Sequence, residues 1–280
     1  MSAMLKISQV KRAESLNEAL QLLQEGTYKV VAGGTDVIPQ MRNQIMDPVS
    51  LLDLRLLREE LGKIEIKDEF LCIGALCTHF QIHTAPLVQE WCPVLADACA
   101  RIGSAQIRKR GTIGGNIINA SPAADSVPTL VATGAQAVIT SAEVQRVVPM
   151  ENVAQQPGRT CMVPGELLTQ IRIPLKGKPW SGTYLKVGPR NALLISVADA
   201  AVVMHPEFGI RIACGSVSPT IQRAGHTEKL FTQAGKTQAD FEAALGKDIS
   251  PISDVRASAQ YRRDVLVNLI YQLYQQKGGL

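Results

Sequence analysis

Two glycine clusters hold the residues best suited to chemistry in this chain. The first, Ala32-Gly33-Gly34-Thr35-Asp36, follows directly on the strand-like run Tyr28-Lys29-Val30-Val31-Ala32; the second is Gly111-Thr112-Ile113-Gly114-Gly115-Asn116. Glycine lets the backbone approach a ligand closely and take up positive φ. Successive free N–H groups in such a turn form a nest that suits phosphate. Thr35 and Thr112 add hydroxyl donors, so two such loops, each contributing amides, would hold a pyrophosphate without a lysine clamp. Neither loop follows the G-x-G-x-x-G dinucleotide fingerprint or the G-x-x-x-x-G-K-[ST] phosphate loop. Taken singly, each reads more simply as a ligand-free tight turn, and only their combination argues for a cofactor.

Metal chemistry finds less support. The six cysteines stand at 72, 77, 92, 99, 161 and 214. Cys72 and Cys77 have the gap that opens a plant-type iron–sulfur motif, but the third ligand position falls on Phe80. No Cys-x-x-Cys occurs, so reduced, mostly buried thiols are expected. His79 and His83 are four apart, a spacing that can face a metal on a helix, yet no carboxylate or third histidine lies at a suggestive distance. Surface or core roles are expected for both.

The elements that must position these residues follow from local pattern. Ser15-Leu16-Asn17-Glu18 is a capping box, with Leu16, Ala19, Leu20 and Leu23 at helical spacing and Gly26 closing the helix. The chain thus opens helix, strand, glycine turn. Further strands are expected at 51–54, 64–66 and 70–76, and a helix over 86–102 with Pro86 near its start and Gly103 at its end. Residues 130–140 and 161–174 read as strand-like or mixed. Pro174-Leu-Lys-Gly-Lys-Pro179 is the best candidate for a domain boundary. Beyond it, strands are expected at 182–187, 192–204 and 210–217, with a helix as the alternative inside the second, and helices over about 237–246 and 254–276.

Composition sets the outer limits. With 280 residues, 46% apolar and 19% charged, the chain is long enough for one large or two modest globular domains. A formal net charge of +4, with its densest run only Arg108-Lys109-Arg110, gives no nucleic-acid footprint. The longest apolar candidate, Ala192 to Met204, is interrupted by Ser196 and Asp199, so no membrane span is expected. With no signal-peptide pattern at residues 1–15, a cytoplasmic location is the expectation.

The glycine clusters belong to a longer series of motifs: AGGTD at 32–36, IGALCTH at 73–79, the block from Gly103-Ser104-Ala105-Gln106-Ile107-Arg108 through GTIGGNIINASPAAD to Asp125, and GELLTQIRIP at 165–174. Tyr184-x-Lys186-x-x-x-Arg190 and Ser253-Asp254-x-Arg256-Ala257-Ser258-x-x-Tyr261-Arg262 complete it. In this order, along nearly the whole chain, the series resembles the FAD-binding medium subunit of the xanthine dehydrogenase and carbon monoxide dehydrogenase family of molybdenum hydroxylases.

The resemblance implies an α+β chain with a vanillyl-alcohol-oxidase-like (PCMH-type) FAD-binding fold in two subdomains over residues 1–176. A small α+β C-terminal domain, an antiparallel sheet with helices, would occupy 177–280. It implies cofactor-binding positions at Lys29, Val30, Val31, Ala32, Gly33, Gly34, Thr35 and Asp36 in the first loop, and Thr112, Gly114, Gly115 and Asn116 in the second. Asp125 matches an acidic residue that hydrogen-bonds the cofactor, Leu168 an apolar contact and Lys186 a cofactor-facing lysine. Ile102 falls where some relatives place an aromatic residue near the flavin. Read from the residues alone, Asp36 and Asp125 are also plausible helix caps, and Lys186 a solvated strand residue. The family often has Asp at the position of Ser196, in Leu194-Ile195-Ser196-Val197, and this chain can offer only a hydroxyl there.

The implied function is oxidoreductase electron transfer. FAD in this chain would receive electrons from the iron–sulfur clusters of a 2Fe-2S small subunit, served by a molybdopterin-binding large subunit, and pass them to NAD or another acceptor. No residue of the chain is expected to be catalytic and no metal to be held by it. Two rival readings are a free-standing flavoprotein oxidase or dehydrogenase with its own small substrate, and a flavin-free assembly subunit.

Overall fold

The computed structural model describes residues 7–43, 49–188 and 195–276. Strands Ile7–Arg12, Val49–Asp53 and Tyr28–Val31 form a small parallel sheet in that spatial order. Parallel pairing needs a crossover between consecutive strands. The helix Leu16–Glu25 supplies the first and packs on a core built around Ala13, Ala19, Leu20, Leu52, Leu54 and Leu57. Ser15 caps this helix by accepting from the Glu18 amide, while the Glu18 carboxylate reaches the amide of Glu14 rather than that of Ser15.

A second sheet is wholly antiparallel, in the order Ile64–Lys67, Phe70–Gly74, Leu167–Pro174, Gln136–Thr140, Gln145–Pro149. Asp68 and Glu69, both at positive φ, make the two-residue turn of its first hairpin. The helix expected over 86–102 is two helices, Pro86–Trp91 and Pro93–Ala100. Pro93 lacks the N–H a continuous helix would need, and it sits instead at the first position of a new one. The stretch 130–140 divides similarly, into the end of a helix Val127–Ala132 and the strand Gln136–Thr140.

The third sheet, Ser181–Val187, Ala198–His205, Gly209–Gly215 and Gln222–Arg223, is also antiparallel. One face meets the core that contains Leu95 and Leu130 through Tyr184, Ala201, Val203 and Ala213. The other is covered by the helices Gln238–Asp248 and Ala259–Gln276. Burial on both faces explains why the strand Ala198–His205 is a nearly unbroken apolar run rather than an alternating one. The segment 174–179 is tied down, since His205 Nε2 lies 2.8 Å from the Leu175 carbonyl and Trp180 donates to the Pro174 carbonyl. Of the C-terminal motifs, Arg190 and Leu194 lie outside the described residues. Among the described residues no helix is long and apolar enough to cross a membrane.

Candidate functional site

The two glycine clusters, 77 residues apart in sequence, lie backbone against backbone. A Cβ added to Gly33 would overlap the Arg110 carbonyl oxygen and come within 3.0 Å of Gly111 Cα. A Cβ on Gly111 would stand 3.2 Å from Thr35 Oγ1 and 3.3 Å from the His79 ring. These glycines are needed for approach, not for φ. Gly34 alone in the first loop takes the left-handed conformation, with φ of 71°.

The two loops differ in what they offer a ligand. In the first, no acceptor among the described residues takes the amide N–H of Gly33, Gly34, Thr35 or Asp36. Four successive unspent donors around a left-handed glycine are the makings of an anion nest. Asp36 stands at the cap position of the helix Val37–Arg42 but makes no capping bond; its carboxylate accepts from Gln40 Nε2. In the second loop the amides are spent. Ile113 donates to the Cys77 carbonyl, Gly114 to Ala75, Gly115 to Thr112 Oγ1 and Asn116 to the Thr112 carbonyl. The expectation that both loops contribute free amides therefore holds for the first loop alone. The second is the start of a helix, Ile113–Ile118, capped by its own Thr112. It supports the first loop and offers side chains. Gly114 is there for packing, since a Cβ would lie 2.7 Å from the Ala75 carbonyl oxygen, whereas a Cβ on Gly115 would meet only Thr112 Oγ1.

From the second loop a line of polar contacts runs to Asp125. Asn116 Oδ1 accepts from Ser126 Oγ at 2.7 Å, next to Asp125. Asp125 is buried and accepts three donors: Tyr184 Oη at 2.8 Å and Ser196 Oγ at 2.7 Å on Oδ1, and Lys186 Nζ at 2.7 Å on Oδ2. Lys186 also donates to the Arg101 carbonyl, beside Ile102. Asp125 caps no helix, and Lys186 is a buried ion-pair partner, with a side chain only 12% exposed. Ser196 fills the role left open in the sequence, since its hydroxyl serves Asp125. A carboxylate has about four lone-pair positions, so one position on Oδ2 remains for a further donor.

These contacts join Gly33, Thr35, Gly111, Thr112, Asn116, Asp125, Lys186 and the backbone at Arg101–Ile102 into one connected set. Ile102 and Leu168 lie in the apolar core that underlies it. Lys29 is exposed on its strand and forms no ion pair among the described residues. His79 is buried against Gly111. Burial first, and the neighbouring Arg108 second, pull its pKa down to about 4, so the ring is neutral. Sequence reasoning gave neither Tyr184 nor Asp199 a role in the site, noting Tyr184 only within a motif and Asp199 only as an interruption of an apolar run. The signal for the latter was a single carboxylate in an otherwise apolar strand.

A family model for the FAD binding domain in molybdopterin dehydrogenase matches residues 5–176, and one for the CO dehydrogenase flavoprotein C-terminal domain matches 183–277. The chain belongs to the FAD-binding medium subunits of the molybdenum hydroxylase family. This medium subunit is 33% identical over 274 residues to the glyceraldehyde dehydrogenase medium chain of Sulfolobus acidocaldarius, covering 95% of this chain and 96% of that one. It is 30% identical over 260 residues to the xanthine dehydrogenase FAD-binding subunit of Escherichia coli O157:H7, covering 90% and 89%. Its fold is similar to a chain in the structure of carbon monoxide dehydrogenase from Hydrogenophaga pseudoflava, with a TM-score of 0.86, 28% identity and 94% of each chain covered. The geometry fits the cofactor. The unspent amides of the first loop suit a pyrophosphate, and the remaining acceptor position of Asp125 suits a cofactor hydroxyl or N–H.

Proposed function

We propose that this medium subunit transfers electrons within a heteromeric molybdenum hydroxylase, from the iron–sulfur clusters of a 2Fe-2S small subunit to NAD, while a molybdopterin-binding large subunit oxidises the organic substrate. The observation that carries the reading is the unspent amide run of Gly33–Asp36 packed directly on Arg110–Gly111. FAD supplies one- and two-electron redox chemistry when bound, which is what links a one-electron relay to a hydride acceptor. The chain's own task is to bind and orient. The loop Lys29–Asp36 receives the phosphates, and Thr112, Gly114, Gly115 and Asn116 form the support against which they rest. Asp125 accepts a hydrogen bond from the cofactor, and Lys186 balances the charge of Asp125. Ile102 and Leu168 supply apolar wall. The boundary between the FAD-binding and C-terminal domains falls at 176/177.

Placing the clusters and the molybdenum in partners accords with the chemistry of the cysteines. Burial pushes the Cys77 and Cys92 thiols up to about 12, which holds them protonated, whereas metal ligation uses the thiolate. Partner docking also accords with the exposed apolar side chains of Ile195 and Val255, neighbours in sequence of Ser196 and Arg256, which are joined by a hydrogen bond from the Arg256 guanidinium to the Ser196 carbonyl.

The test is purification of the native complex, with its absorption spectrum and anaerobic titration by NADH. Bound FAD that NADH bleaches, with copurifying iron–sulfur and molybdenum subunits, supports the reading. FAD in a solitary chain favours a free-standing flavoenzyme, and flavin unmoved by NADH overturns the choice of acceptor.

A further inference from the structure

Tyr184 bridges two buried carboxyl groups. Its Oη lies 2.8 Å from Asp125 Oδ1 and 2.9 Å from Asp199 Oδ2. A phenol has one hydrogen and cannot donate to both. If both acids were ionised, one of these contacts would set two oxygen lone pairs against each other at a buried position. Asp199 is fully buried, and its Oδ1 has no hydrogen-bond partner among the described residues. An ionised carboxylate there would be both desolvated and half unsatisfied, the costliest state for such a group. The fold nevertheless makes room for it. Asp199 pairs in register with Gly215 on the next strand, and a Cβ at Gly215 would overlap Asp199 Oδ1.

We infer that Asp199 is a positioning residue that keeps its proton well above the pH at which an ordinary carboxylic acid ionises, losing it only as neutrality is reached. It donates this proton from Oδ2 to Tyr184, which in turn donates to Asp125, so that the two-link chain orients Asp125 as an all-acceptor carboxylate toward the cofactor. Asp125 then receives Tyr184, Ser196 and Lys186, the demand pattern of an anion, and Asp199 spends its one hydrogen on Tyr184. The titratable and charged groups facing Asp199 are Asp125 from the segment before the helix Val127–Ala132, Tyr184 and Lys186 from the neighbouring strand, and the Cys214 thiol beside Gly215. Arg262, from the C-terminal helix, is buried nearby but is engaged by the Val197 and Ser216 carbonyls and by Asp254. Burial first, and the charge of Asp125 second, raise the Asp199 pKa to about 7, in the same direction as the hydrogen count.

The arrangement itself does not depend on FAD; its consequence for the cofactor rests on the reading of Asp125 given above. The experiment is infrared spectroscopy of the full chain carrying isotope-labelled aspartate, titrated from neutral to mildly acidic pH, for wild type, Asp199→Asn and Tyr184→Phe. The expected result is a protonated-carboxyl band in wild type that is absent from Asp199→Asn and shifted by Tyr184→Phe, because its acceptor is gone. A wild type with no such band, or a band that Tyr184→Phe leaves in place, overturns the inference even if Asp199→Asn fails to fold. The flavin assignment stands apart, since a Gly115→Val chain without flavin still shows the band if the inference is right.

Discussion

Gly33 and Arg110 meet backbone to backbone, with no space for a single methyl group at Gly33. This contact fixes the unspent amides of the first loop over the start of the second. Gly33→Ala must push the loops apart. The expected cost is that of overpacking a tight contact, about 1–3 kcal/mol, together with loss of most bound FAD. Denaturant unfolding and flavin content of the purified variant measure both.

Gly114 and Gly115 fail for different reasons when enlarged. Gly114→Val strains the contact with Ala75 and lowers stability. Gly115 is exposed and has open space around it apart from Thr112 Oγ1, so Gly115→Val should fold with near-normal stability and lose flavin by occupying the cofactor's space. A Gly115→Val chain that folds and carries a full complement of FAD would remove the second loop from the site.

Lys186 and Asp125 form a buried ion pair between two distant segments of sequence. Lys186→Met strands a buried carboxylate with one donor fewer, for an expected loss of about 3 kcal/mol. The loss should shrink when Asp125→Asn is added, as a double-mutant cycle in urea would show.

His79 and Asp199 give opposite pH slopes over the same window. The folded His79 has a pKa lowered from 6.5 to about 4, so its contribution to stability is lost as pH falls through that range. The folded Asp199 has a pKa raised from 3.8 to about 7, so its contribution is present in acid and is lost as pH rises through that range. Wild type should therefore show a shallow profile between about pH 4 and pH 7. Asp199→Asn should expose the His79 slope, with thermal midpoints falling toward acid. Identical profiles for the two proteins would contradict the assignment of Asp199, and a flat profile for Asp199→Asn that of His79.

Much of the candidate site was legible because its signals are local. Gly33-Gly34 after a strand, Thr112 before a glycine pair, and Asp125 and Lys186 in their motifs all stand in short, recognisable runs. What escaped depends on contacts across sequence. That the amides of residues 113–116 are consumed by Ala75, Cys77 and Thr112 is decided by how the second sheet packs. Asp199 acquires meaning only through its register with Lys186 and Gly215 and through the reach of Tyr184 to Asp125. The break at Pro93 was in principle readable, but Pro86 near the start and Gly103 at the end suggested a single helix.

The central claim is that the first glycine loop, braced by the second, holds FAD. The most direct measurement is the FAD content and visible absorption spectrum of the purified wild-type chain beside Gly115→Val and Gly33→Ala, with the released cofactor identified. The account predicts one FAD per wild-type chain and little or none in either folded variant. Full flavin occupancy in both folded variants would contradict it.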